Sequence, residues 1–149
     1  MAAPAKTLEI RTSPHLLSGY AVDSIMFNVV VALAPAIVFA FYAFGWAAVA
    51  VLGTATATCV ATEALAARAT GKRSTVGDWS AAVTGLLYGL TLPASLPLWM
   101  VVVGGLVSMI VGKLLFGGLG QHPFNPALVG RAVMQATFPV AMTTWLPPF

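Results

Sequence analysis

The sequence predicts an all-α integral membrane protein, and three observations carry that prediction. Only 7% of the 149 residues are charged, against roughly 25% in an average soluble domain. Hydrophobic residues make up 59%. Two long stretches, 24–62 and 79–112, contain no Asp, Glu, Lys or Arg. About 20 apolar residues suffice for one bilayer crossing, so the first stretch accommodates two passes and the second slightly less than two.

Residues 1–23 carry Lys6, Glu9, Arg11 and Asp23 ahead of any apolar run, which is unlike a secretory signal. They read as a cytoplasmic N-terminal tail that stays in the mature chain, followed by a membrane repeat over 24–149. The first helix is expected over about 25–46. Pro35 kinks it, and Asp23 and Ser24 stand where capping groups belong. Asn28, one turn deeper, needs a partner. Phe44, Gly45 and Trp46 have the composition of a tight reversal at a membrane surface. A second helix over about 47–67 is rich in small residues that let helices approach closely.

The loop 68–79, RATGKRSTVGDW, carries Arg68, Lys72 and Arg73 against Asp78, and the positive-inside rule places it in the cytoplasm. Two passes separate it from the tail with Lys6 and Arg11, so both signals name the same side. The third segment, 80–92, is short: as a helix it covers about 20 Å of a roughly 30 Å hydrocarbon core. Pro93 and Pro97 then interrupt it. A crossing segment and a re-entrant half-helix both fit; crossing is favoured because it gathers every basic residue on one face. Two further helices are expected over about 98–116 and 126–142. Short apolar segments broken by Pro and Gly are frequent in transporter-like folds, and ordinary kinking also produces them.

Several function classes fall away. One cysteine, Cys59, allows no internal disulfide and no iron–sulfur site within the chain, and reads as a small buried residue. The net charge of +3 is scattered, unlike a nucleic-acid footprint. No phosphate loop, Ser-His-Asp grouping or acidic pair is present. His15 and His122 are far apart and lack companion ligands, so no metal site is expected. Glu63, five residues before Arg68, either reaches the interface from its helix end or belongs to an ion path.

The stretch 117–132, GGLGQHPFNPALVGRA, stands out between two apolar runs. Gly117, Gly118 and Gly120 allow positive φ and close backbone approach, while Pro123 and Pro126 prevent a continuous helix. Asn125 followed by Pro126 has the pattern of an N-cap with proline at the first helical position. Alternatively, Gln121, His122 and Asn125 offer hydrogen bonds to a planar, uracil-like ring at the membrane edge.

Taken in order, SPH at 13–15, SAAVTGLLYGLTLPASLPLW, KLLFGGLGQHPFNPALVG and FPVAMTTWLPP resemble one family: the D subunit of the Rnf ion-translocating ferredoxin:NAD oxidoreductase and the related B subunit of the sodium-pumping NADH:quinone oxidoreductase. The resemblance runs from about Ser13 to the end. It implies one half of a urea-transporter-like inverted-repeat fold, of about five transmembrane or partly broken helices. It also implies a bacterial inner-membrane, multi-pass subunit, N-terminus cytoplasmic, in an electron-transfer complex coupling ferredoxin/NAD redox chemistry to sodium or proton movement through bound flavins. The chain would act as a translocase subunit with no catalytic residues of its own, beside other membrane and peripheral subunits. The family carries an FMN on a threonine in an S-G-A-T type motif that is not found here; Thr143 and Thr144 lack that context, and a second repeat elsewhere is expected to supply it. A non-covalent riboflavin or FMN is implied near the 117–126 loop, contacted in the family by an N-x-x-N-P pattern. Asn125 matches the second asparagine and His122 replaces the first. Gly118, Gly120, His122 and Asn125 are therefore the expected flavin-binding residues. The other readings of the same scaffold are a non-redox pathway for a small solute or ion, and a scaffold subunit.

Overall fold

A computed structural model of the chain describes residues 22–71, 76–118 and 120–149. Residues 1–21 of the expected N-terminal tail, the SPH stretch among them, and Lys72 and Arg73 lie outside the described residues, whereas Val22 and Asp23 already belong to the first helix. The described residues form helices α1 (Val22–Phe44), α2 (Trp46–Thr70), α3 (Ser80–Leu90), α4 (Leu98–Ile110), α5 (Pro126–Thr137) and α6 (Pro139–Thr143), with 3-10 turns at Val76–Asp78 and Leu114–Phe116. Three stretches, Val22–Phe44, Trp46–Thr70 and Leu98–Phe116, are long and apolar enough to span a bilayer. The protein is an all-α membrane protein.

Apolar composition alone accounts for α1, which keeps Pro35 inside it and buries only Ala43. Asp23 lies in its first turn, and Asn28 is exposed on its surface. Gly45 makes the reversal into α2: its φ is +62°, a region that favours glycine, and its N–H donates to the Phe41 carbonyl at 2.8 Å. The threonines of α2 tolerate apolar surroundings by donating back to the preceding turn, Thr56 to Leu52 O at 2.8 Å and Thr62 to Thr58 O at 2.7 Å. Gly71, with φ +62°, ends α2.

Asp78 starts α3, its Oδ1 accepting the Ser80 N–H at 2.9 Å while Trp79 takes a left-handed conformation. α3 then runs antiparallel along α2. Gly85 packs on the backbone at Ala55 and Thr56, Gly89 on Leu52, and Leu92 joins the core cluster of Val51. A Cβ on Gly85 would lie 2.5 Å from Thr56 Cα, so the approach of the two helices depends on its absence. The segment thus travels from the Arg68 end of α2 towards its Trp46 end. α4 returns alongside α2, Gly105 packing on Thr58.

The stretch expected as one helix over 126–142 is divided. Pro139 cannot donate a backbone hydrogen bond, Phe138 leaves the helical region with φ −127° and ψ 60°, and α6 starts beyond it. The chain ends beside α1, where the Phe149 N–H donates to Ala43 O at 3.1 Å.

The interior is layered. Towards the Trp46 end lies the main apolar cluster, including Val51, Tyr88, Leu92, Val101 and Met134. Next come Cys59, Ala81 and Met109. Towards the Arg68 end lies a polar layer of Glu63, Ser80 and Lys113. Large apolar side chains such as Val38, Phe39, Tyr42 and Val140 face outwards, as lipid contact requires.

Candidate functional site

The polar layer is built from three separate elements. Lys113 follows the last turn of α4, where its N–H still donates to Met109 O at 3.2 Å. Gly112 lets the start of α5 pack closely here, since a Cβ on it would lie 2.7 Å from Pro126 Cα. The Lys113 side chain is 1% exposed; its Nζ donates to Glu63 Oε1 at 2.8 Å and to Ser80 Oγ at 2.6 Å. Glu63 is 2% exposed. Its helix-end position in the sequence fits either an interfacial side chain or an ion-path group; the structure buries it against a lysine fifty positions further along the chain.

Beyond Lys113 the chain turns through left-handed glycines, Gly117 at φ +104°, Gly118 at +105° and Gly120 at +80°. The reversal is closed by the Gly118 N–H to Lys113 O at 3.2 Å and the Gln121 N–H to Gly118 O at 3.2 Å. Asn125 caps α5: its Oδ1 accepts the Ala127 N–H at 3.0 Å, and Pro126 takes the first helical position. His122 Nδ1 lies 3.1 Å from the Gly118 carbonyl. A carbonyl only accepts, so Nδ1 is the donor here, and a ring with its one proton on Nδ1 presents Nε2 as an acceptor.

These elements enclose one side of a cleft of about 220 Å³. Its walls are Met26 of α1 and Ser80, Val83, Thr84 and Leu87 of α3, and its remaining lining is Lys113, His122, Asn125 and Pro126. Two of the four residues expected to bind a flavin, His122 and Asn125, therefore share a cleft. The other two do not line it: Gly118 supplies the carbonyl that orients His122, and Gly120 shapes the turn. Gln121 is exposed. A larger groove of about 530 Å³ among α1, α2 and α3 has almost entirely apolar walls, including Ile37, Gly53, Ala57 and Leu86, and offers little for orienting a polar ligand.

The free hydrogen-bonding capacity of the cleft follows from the bonds already made. Asn125 has used its oxygen in the cap and keeps an NH2 donor. His122 presents an acceptor, and Lys113 has one N–H beyond the two bonded to Glu63 and Ser80. Capping and ligand binding by Asn125 are thus compatible, because they use different atoms. From the sequence, Glu63 reads as an interfacial or ion-path residue, whereas Lys113 is not singled out. An isolated lysine between apolar runs was the available signal, and it does not identify its partner.

Residues 9–149 match the model of the NQR2, RnfD, RnfE family. Among curated relatives, the chain is 43% identical to the D subunit of the Na(+)-translocating ferredoxin:NAD(+) oxidoreductase complex of Acetobacterium woodii, over 92% of this chain and 43% of that protein. It is 42% identical to the D subunit of the proton-translocating ferredoxin:NAD(+) oxidoreductase complex of Clostridium ljungdahlii, over 91% of this chain and 41% of the relative. The D subunit of the ion-translocating oxidoreductase complex of Haemophilus influenzae (strain PittGG) is 37% identical over 92% of this chain and 39% of its own length. The chain therefore spans about two fifths of the relatives it matches. The match over nearly its whole length shows that this chain belongs to the NQR2, RnfD, RnfE family.

Proposed function

We propose that this chain is the first membrane repeat of a subunit in an ion-translocating oxidoreductase complex of a bacterial inner membrane, and that its polar cleft holds a non-covalent riboflavin-type flavin. The observation that carries the reading is the hydrogen-bonding pattern of the cleft. The carbonyl, N–H and carbonyl edge of an isoalloxazine needs two donors and one acceptor, and Lys113, His122 and Asn125 supply that set. The volume of about 220 Å³ is below the roughly 300–1,000 Å³ that encloses a whole small molecule, so the cleft fits an edge of the ring system better than an entire flavin. Val83 and Leu87 supply apolar wall for a flat ring.

The bound flavin would supply one-electron and hydride chemistry. The chain's own residues would bind and orient it: Asn125 and His122 fix the edge, and the glycine turn fixes His122. Orientation is read from charge. Arg68 and Lys113 lie at one end of the helices and Trp46, Trp99 and Trp145 at the other, towards which Arg131 reaches to donate to Thr91 O; two of these three cations support a cytoplasmic Lys113 end and a cytoplasmic N-terminus. Other subunits of an Rnf-type complex would be the electron partners. A second repeat would carry the covalent FMN.

Two Asn125 variants test the reading in the full-length, membrane-embedded protein. Asn125→Asp keeps the capping oxygen and removes the NH2 donor; it is expected to weaken riboflavin binding at least about tenfold while leaving thermal stability within about 0.5 kcal/mol. Asn125→Ala loses the cap too, and should cost about 1 kcal/mol of stability. If neither variant, nor His122→Leu, lowers the riboflavin released on denaturation per mole of protein, this cleft is not the flavin site.

A further inference from the structure

Lys113 is more than a strut between helices. A buried ion pair is a weak source of stability, because two apolar residues of similar volume hold such a position as well or better. Ionisable side chains inside a membrane bundle belong with a function rather than with packing. The geometry gives the pair a direction. Lys113 and Ser80 line the cleft and Glu63 does not, so a ligand meets the positive end of the pair with the carboxylate behind it. Bonds to Glu63 and Ser80 hold the ammonium in place, and one N–H is left for the ligand.

We propose that Lys113, held by Glu63 and Ser80, makes the cleft prefer the reduced, electron-rich form of its planar ring ligand over the oxidised form. This rests on the flavin reading above and assigns the chain a residue that sets the ligand's redox balance. Reduction of such a ring increases the negative charge on its carbonyl edge. A fixed cation beside that edge, among the apolar walls of Val83 and Leu87, stabilises the charged form more than the neutral one. By linkage, the ratio of the two affinities equals the shift the site imposes on the ligand's reduction equilibrium. Glu63 tempers the effect: it positions Lys113 while cancelling part of its field.

The test measures the affinity of flavin-stripped, full-length protein in lipid nanodiscs for oxidised riboflavin and, anaerobically, for dithionite-reduced riboflavin. The readout is the ratio of the two. Lys113→Met with Glu63→Gln is expected to lower the preference for the reduced form about tenfold, the size of one hydrogen bond to a charged group. Glu63→Gln alone is expected to raise it, because the full charge of Lys113 then faces the ring. Lys113→Arg should retain the wild-type ratio. Opposite shifts from the first two variants are a signature that loosened packing does not produce, and Glu63→Gln alone carries the test if the double variant does not assemble. Equal ratios in all variants, or shifts of the same sign, with oxidised riboflavin still bound, would overturn the role of Lys113 and leave the flavin site standing. Failure of the wild-type protein to bind either form would overturn both.

Discussion

Replacing Lys113 with leucine alone is expected to destabilise the folded chain by about 3–5 kcal/mol, because it leaves the Glu63 carboxylate buried without its ammonium partner. Ser80 Oγ loses its bond to the ammonium at the same time. Adding Glu63→Leu to the same chain should recover most of the loss, since an apolar pair of similar volume fills the space without burying a carboxylate that has lost the lysine. Thermal or denaturant unfolding in a mild detergent measures both variants. A single variant as stable as the wild type would mean that Glu63 and Lys113 do not meet in the folded protein.

The second large effect belongs to the contact between α2 and α3. A valine at Gly85 places its Cβ 2.5 Å from Thr56 Cα, and a backbone atom cannot rotate aside. Overpacking of this kind costs about 1–3 kcal/mol and moves the helix. The cleft should suffer with it, because Ser80, Thr84 and Leu87 are carried on α3. Gly53→Ala is the matched control: it lies on α2, faces open space and should leave stability within about 0.5 kcal/mol. Equal unfolding temperatures for Gly85→Val and Gly53→Ala would contradict the packing described for α3.

The all-helical membrane fold was legible because stretches free of charge, such as 24–62, leave a chain no other way to satisfy its backbone. Local chemistry was legible too. Gly45 makes the reversal at a positive φ, and Asn125 with Pro126 forms an N-cap, since each pattern depends on neighbours in sequence. Contacts between distant residues were not. Glu63 reads from the sequence as a helix-end residue beside Arg68, and only the packing of α2 against the end of α4 brings it to Lys113. The same limit divides the proposed site. His122 and Asn125 could be picked from one polar loop, whereas Ser80, Thr84 and Lys113 enter the cleft from other elements. The break at Phe138 was signalled by Pro139, yet apolar composition on both sides masks it in any reading based on hydropathy.

In the proposed function, the cleft between α1, α3 and the turn before α5 receives the edge of a flat, hydrogen-bonding ring. An experimental density map of the full-length protein in its assembled complex, purified without added flavin, tests it most directly. Planar ring density is expected within hydrogen-bond distance of Lys113 Nζ, His122 Nε2 and Asn125 Nδ2. A cleft filled only by side chains and lipid, in a complex that still transfers electrons, would contradict it.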